Sequence, residues 1–177
     1  QARQAIELAA AIDAPVVRVF GGPIPEGISR EESAESIVRS LTALADTAAL
    51  YQVHVCIETH DDWCDPNLVA DILTRVDRPY IAANWDIMHP ITRGGATMSQ
   101  AFEALRPWIR HVHVHDCHLT NRNGLVPMGE GDIDHKTAGA LLKAAGYTGA
   151  VSGEWIDWEP CDVHLPREIV AMRRFFG

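Results

Sequence analysis

Four side chains in this sequence have the types and spacing to hold a divalent cation: Glu58, Asp86, His113 and Glu154. Each closes, or nearly closes, a short run of strand-like residues. The runs are Val53-His54-Val55-Cys56-Ile57-Glu58, Ala82-Ala83-Asn84-Trp85-Asp86, His111-Val112-His113-Val114-His115 and Ala150-Val151-Ser152-Gly153-Glu154. Three carboxylates and an imidazole brought together repel one another unless a cation sits among them. Two Glu, one Asp and one His suit Mn²⁺, Mg²⁺, Co²⁺ or Zn²⁺. The bland alternative is that each is a satisfied polar residue on its own. That is ordinary for one position and costly for four in phase, because unpaired buried charge is expensive.

The elements that must position these residues follow from the period of the apolar residues, which alternates between strand-like and helix-like along the chain. Helices are predicted over 5–12, from the Ser29/Glu32 capping box through Ala48, from Asp65-Pro66 through Leu73, over 101–105, over 134–145 and over 166–175. Strands are predicted over 16–20, 53–57, 80–84, 109–114 and 150–153, with a long loop after the fourth. Gly146 is placed to stop the fifth helix.

Side chains alternate along a strand, so His54, Cys56 and Glu58 share one face, as do Asn84 and Asp86, the three histidines 111, 113 and 115, and Ser152 and Glu154. The opposite faces are mostly bulky and apolar. Parallel strands buried between two layers of helices are apolar on both faces. A barrel, with its polar face inward and its site at the C-terminal strand ends, accounts for the pattern better. The ligand spacings of 28, 27 and 41 residues are close to one βα unit per step.

The bulk numbers narrow the class. The 47% apolar and 22% charged residues of this 177-residue chain are those of an ordinary globular domain. A net charge of −9 with only two lysines, Lys136 and Lys143, argues against a nucleic-acid partner. No stretch approaches the roughly 20 apolar residues that span a bilayer. Four cysteines without CxxC spacing point to a reducing, cytoplasmic setting and to packing roles.

The ordered segments Ile57-Glu58-Thr59-His60, Asp86-Ile87-Met88-His89-Pro90, His111-Val112-His113-Val114-His115-Asp116, Met128-Gly129-Glu130-Gly131-Asp132 and Gly153-Glu154-Trp155 resemble the xylose isomerase-like TIM barrel superfamily, which includes sugar phosphate isomerases and epimerases and the AP endonuclease family 2. The resemblance implies an α/β fold, the (β/α)₈ TIM barrel, of which this chain supplies the C-terminal five βα units, strands 4–8. It implies one domain over 1–177, incomplete at its N-terminal side by three units. It implies Glu58, Asp86, His113 and Glu154 as ligands of one divalent metal ion, with Glu58 and Glu154 also the catalytic proton-transfer pair.

The expected activity is a sugar or sugar phosphate isomerase or epimerase working through a metal-stabilised enediolate on a small sugar or polyol, in a chain that could form a homo-oligomer. Alternatives on the same scaffold are an inosose-type dehydratase, an endonuclease IV-like nuclease and an inactive barrel relic. The nuclease would need an Asp-x-His after the seventh strand, where this chain has Gly124-Leu125-Val126-Pro127-Met128. His89, three after the ligand Asp, resembles the family histidine that contacts a substrate oxygen. His60, Glu130 and Arg122 are further candidates for substrate contact, against purely structural roles in their loops. His115 and Asp116 are expected to support His113. Trp63 and Trp155 are candidates to stack on a sugar or simply to pack.

Overall fold

Why the polar face holds together is a matter of register. The computed structural model describes residues 1–177 and contains five parallel strands: β1 (Val16–Val19), β2 (His54–Glu58), β3 (Ile81–Asp86), β4 (Ile109–Val114) and β7 (Val151–Gly153), hydrogen-bonded in that order. Paired residues point to the same side of a sheet. Arg18 lies beside Cys56 and Cys56 beside Ala82; Glu58 lies beside Asn84 and Asn84 beside His111; Asp86 lies beside His113 and His113 beside Ser152. These rows make one polar face.

Their phase depends on an irregularity. Ala83 pairs with Ile109 but Asn84 pairs with His111, so Arg110 is skipped. Without this bulge Asp86 would face Val112, and His113 would turn outward.

The other face is the core. Val55, Ile57, Ala83, Trp85, Val112 and Val114 are wholly buried beneath the helices. They meet Leu41, Ala45 and Ala48 of α2 (Arg30–Tyr51), Val69, Ile72 and Leu73 of α3 (Pro66–Val76), and Ala101, Phe102 and Leu105 of α5 (Met98–Leu105) in one apolar cluster. Burying each larger side chain contributes about 1.5–3 kcal/mol. Helix α1 (Ala2–Ala11) packs on α2, and α6 (His135–Ala144) on α7 (Cys161–Phe176).

Helix starts follow local chemistry. Ser29 and Glu32 form the predicted capping box, and Asp65 caps the helix that Pro66 opens. A second box, Thr97 with Gln100, starts α5 three residues before the expected 101.

Two expectations are corrected, and one short helix is new. The loop after β4 contains an antiparallel hairpin, β5 (Asp116–His118) with β6 (Asn121–Val126). A short helix α4 (His89–Thr92) follows β3 directly. The last helix starts at Cys161 and carries Pro166 inside it, because Pro160 rather than Pro166 marks its entry. No helix is long and apolar enough to cross a membrane.

Candidate functional site

At the C-terminal ends of β2, β3, β4 and β7 the chain brings together one ligand-capable atom each from Glu58, Asp86, His113 and Glu154, all within 4.8 Å of one another. Ligands about 2.1–2.4 Å from a common ion lie about 3–3.4 Å apart when adjacent and up to about 4.2–4.8 Å apart when opposite, so the span fits a single cation. Glu58 and Asp86 are fully buried, His113 is nearly so and Glu154 is half-buried.

His113 Nδ1 lies 2.6 Å from Glu58 Oε1 and 3.3 Å from Glu154 Oε2. Yet the buried His113 Nδ1 makes no aligned hydrogen bond, and neither does Asp86 Oδ2. Donor atoms that crowd together without pairing are what a cation's ligands look like once each is aimed at a shared point instead of at its neighbour. The residues fit a divalent ion on that observation.

The outer oxygens of the two glutamates carry a different partner. Arg18 Nη1 donates to Glu58 Oε2 at 3.1 Å and to Glu154 Oε1 at 2.6 Å. Asn84 Nδ2 donates to Glu58 Oε1 at 2.9 Å. Asp86 Oδ1 accepts from the backbone N–H groups of Met88 and His89, which opens α4 on the ligand itself. His115 Nε2 stands 2.8 Å from Asp86 Oδ2, and His89 Nε2 stands 3.8 Å from it.

The charges set the protonation states. Burial lowers His113, but Glu154 and Glu58 outweigh it and push the imidazole up to about 9. The close His113 imidazole pulls Glu154 down to about 2 against its burial, with Arg18 adding to the shift. Burial raises Asp86, while His115 and His89 overcome this and hold it well below the usual carboxylate range. Burial also dominates His89, whose pKa is lowered.

Of the substrate-contact candidates, His89 stands beside Asp86, stacked edge-on between His60 and His115 at ring distances of 4.7 and 5.3 Å. His60 sits one ring further out, 4.9 Å from Phe20 and paired with Asp61. Glu130 is exposed and its side chain makes no hydrogen bond or ion pair within the chain. Arg122 lies on the exposed hairpin strand and donates only to Leu119 O.

The support expected for His113 from its neighbours is corrected. His115 serves Asp86, and Asp116 accepts hydrogen bonds from the backbone N–H groups of Cys117, Gly129, Gly131 and Ile133. Trp63 is buried and donates to Gly22 O, with its ring where a Gly21 side chain would be, so it packs. Trp155 lies over Gly153 and beside His164.

Arg18 and Asn84 are the site residues that the sequence reading did not single out for function. The signal was present: Arg18 is a charge inside the apolar strand Val16-Val17-Arg18-Val19, in phase with the polar face. Cys56, Cys64 and Cys117 are buried and pack, whereas Cys161 is exposed. Burial pushes Cys56 up to about 12, and Cys64 and Cys117 up to about 11.

Comparison with known proteins adds the lineage of this arrangement. The family model described as "Xylose isomerase-like TIM barrel" matches residues 1–174. A 3-dehydroshikimate dehydratase of Bacillus anthracis is 26% identical over 137 residues, 67% of this chain and 49% of that protein. A 2-oxo-tetronate isomerase of Haemophilus influenzae is 24% identical over 158 residues, 85% of this chain and 59% of that one. The chain thus spans about half the length of the curated relatives it matches.

Among solved structures, a D-tagatose 3-epimerase-like protein superposes with a TM-score of 0.82 at 24% identity, over 98% of this chain and 66% of that one. A D-psicose 3-epimerase studied in the presence of D-fructose gives 0.79 at 16% identity, over 99% and 69%. These likenesses establish the fold: five strands of a TIM barrel.

Proposed function

Because the chain belongs to the xylose isomerase-like TIM barrel family, we propose that Glu58, Asp86, His113 and Glu154 hold one divalent cation, and that the protein isomerises or epimerises a small polyhydroxylated carbonyl compound by proton transfer. The observation that carries this reading is the convergence of the four ligand atoms within 4.8 Å at consecutive strand ends. A cation there supplies an electrophile that acidifies the C–H between two oxygens and stabilises the enediolate charge.

The chain's own residues do the rest. Glu58 and Glu154 approach from different strands and act as the proton-transfer pair. They are not equivalent: Glu58 is wholly buried, whereas the Glu154 side chain is 18% exposed. Glu154 exchanges its proton with solvent directly, whereas a proton taken up by Glu58 leaves after product release, when water enters the emptied site. His113 completes the donor set between the two glutamates, and Asn84 orients Glu58. His115 and His89 hold Asp86, and His89 and His60 line the approach, where each can donate to a substrate hydroxyl. Return of the proton to the opposite face of one carbon epimerises; return at the adjacent carbon isomerises.

Metal analysis tests the reading. One ion per chain is expected in the wild type and less than half of that in Glu58→Gln and Glu154→Gln, with turnover lost in both. A chelated, ion-free protein that keeps full turnover sinks it. The similarity to a 3-dehydroshikimate dehydratase favours a second reading, a lyase that expels a β-hydroxyl from the same site. Product analysis separates the two, because only the lyase releases water. Four unpaired thiols, three of them buried, fit work in a reducing compartment such as the cytoplasm.

A further inference from the structure

Every carboxylate in the cluster has one oxygen already engaged. Arg18 Nη1 carries two N–H groups, and it donates to Glu58 Oε2 at 3.1 Å and to Glu154 Oε1 at 2.6 Å. Asp86 Oδ1 accepts from the backbone N–H groups of Met88 and His89 at 2.8 and 3.0 Å, which occupies both of its lone pairs. The atoms left to face an ion are Glu58 Oε1, Glu154 Oε2, Asp86 Oδ2 and one nitrogen of His113. The two inner glutamate oxygens lie 2.6 and 3.3 Å from His113 Nδ1, and Asp86 Oδ2 is buried without an aligned hydrogen bond.

This bears on what an ion can still accept, because a carboxylate binds a cation through one oxygen or through both. Two oxygens from each of three carboxylates, with the imidazole, exceed the six positions of an octahedral ion. One oxygen from each, with the imidazole, fills four positions and leaves two.

The two kinds of restraint differ. The amides that hold Asp86 belong to the backbone around α4, so no side-chain exchange releases its outer oxygen. The glutamates depend on Arg18, the one group in the chain that donates to Glu58 Oε2 and Glu154 Oε1. Arg18 reaches both from β1, at the far end of the sheet from β7, and its guanidinium lies over the Phe20 ring at 4.5 Å. An oxygen bound to a cationic N–H is turned away from the ion and competes poorly as a second ligand.

Resting on the cation site proposed above, we propose that Arg18 is a positioning residue that sets the coordination of the ion. It limits Glu58 and Glu154 to one ion-facing oxygen each and so keeps two positions of the ion open to ligands from solution.

The test reads the ion and needs no turnover. Electron paramagnetic resonance of protein-bound Mn²⁺, in water enriched in the magnetic isotope of oxygen, counts the waters on the ion by line broadening. The wild type is expected to hold about two. Arg18→Met has similar length and no charge, so both outer oxygens turn to the ion and the count falls to about none. Its Mn²⁺ affinity rises by about tenfold or more, because two more donors bind and a neighbouring positive charge is gone. Removing a mere brace acts in the opposite direction, since loosened ligands weaken the ion. Arg18→Ala gives the same closed ion, and free guanidinium at low millimolar concentration restores the two waters.

A wild-type ion with fewer than two waters overturns the proposal whatever the variants do. So does an Arg18→Met ion that keeps about two, or weaker Mn²⁺ binding by a folded Arg18→Met. If Arg18→Met does not fold, the wild-type count and the response of Arg18→Ala to guanidinium decide. A wild type that takes up no Mn²⁺ overturns this proposal and the function on which it rests; uptake with the same water count in all three proteins overturns only this one.

Discussion

Asp116→Asn is the substitution whose cost the structure defines most sharply. The carboxylate is wholly buried and accepts four backbone hydrogen bonds, Cys117 and Ile133 on Oδ1 at 2.9 and 3.2 Å, and Gly129 and Gly131 on Oδ2 at 2.8 and 3.1 Å. It therefore closes the chain from the start of β5 to the turn before α6. An amide of the same shape offers one oxygen and one NH₂, so whichever way it turns, two of the four backbone donors face another donor. Each charge-assisted bond lost contributes about 1.5–3 kcal/mol, and the stranded amides add a desolvation penalty.

The expected loss is about 3–5 kcal/mol, a large part of a stability of roughly 5–15 kcal/mol. At about 2–4 °C per kcal/mol for a chain of this length, the melting temperature falls by about 6–20 °C. Urea denaturation followed by circular dichroism gives the energy, and amide hydrogen exchange gives the place: Gly129, Gly131, Cys117 and Ile133 lose protection ahead of the β2 and β3 amides. A loss below about 1 kcal/mol, with those four amides still protected, refutes the reasoning.

Two more outcomes follow from the titrating groups. His113 is raised from its ordinary 6.5 to about 9, so its ion pairs stabilise the metal-free fold fully below pH 6.5 and are lost as pH rises to about 9. Unfolding free energies from urea titrations at pH 6 and pH 9 should differ by up to about 3 kcal/mol more in the wild type than in His113→Asn, and equal pH dependence in the two proteins counts against the pairing. Cation uptake runs the other way: near pH 7 it displaces about one proton from His113, which calorimetry in two buffers of different ionisation enthalpy reads directly. For the cysteines, Cys161 is exposed and the other three are buried, so an aromatic disulfide reagent should modify one thiol in the native chain and four in urea. Rapid modification of more than one native thiol contradicts the packing.

Most of the architecture could be read from the sequence because barrel strands obey a strict period of two and the cluster residues obey it as well. Glu58, Asp86, His113 and Glu154 each break the rule that a buried parallel strand is apolar, and each breaks it on the same face. Arg18 breaks the same rule in the same phase and went unread, because one charge between three valines looks like an exception to a strand and not a member of a site.

The β5–β6 hairpin was hidden for a different reason. Its strands, Asp-Cys-His and Asn-Arg-Asn-Gly-Leu-Val, show no apolar alternation. The one strong turn signal nearby, Asn123-Gly124, lies inside β6, while the real turn is Leu119-Thr120. Long-range pairing overrode the local preference. The bulge at Arg110 left no mark in the sequence either, since its sign is only that Asn84 and His111 must share a row. The partners of His115 and Asp116 depended on that bulge and on the loop closure, and neither follows from spacing.

The geometry of the cluster is fixed by the sheet more than by any loop. Glu58, Asp86 and His113 come from neighbouring hydrogen-bonded strands, and Glu154 continues directly from β7, where its N–H donates to Val114 O at 3.1 Å. Adjacent strands lie about 4.8 Å apart, the reach over which these ligand atoms meet, and inward curvature of the sheet draws their tips closer than their backbones. The ladder from β2 through β7 therefore carries the whole donor set within one half-barrel. Arg18 closes it on the β1 side by reaching across to both Glu58 and Glu154, so the outermost strand is tied to the innermost chemistry through a single side chain. A site of this kind keeps its ligand spacing as long as the four-strand register holds. Around its rim stand the Arg18 guanidinium and the His60, His89 and His115 rings.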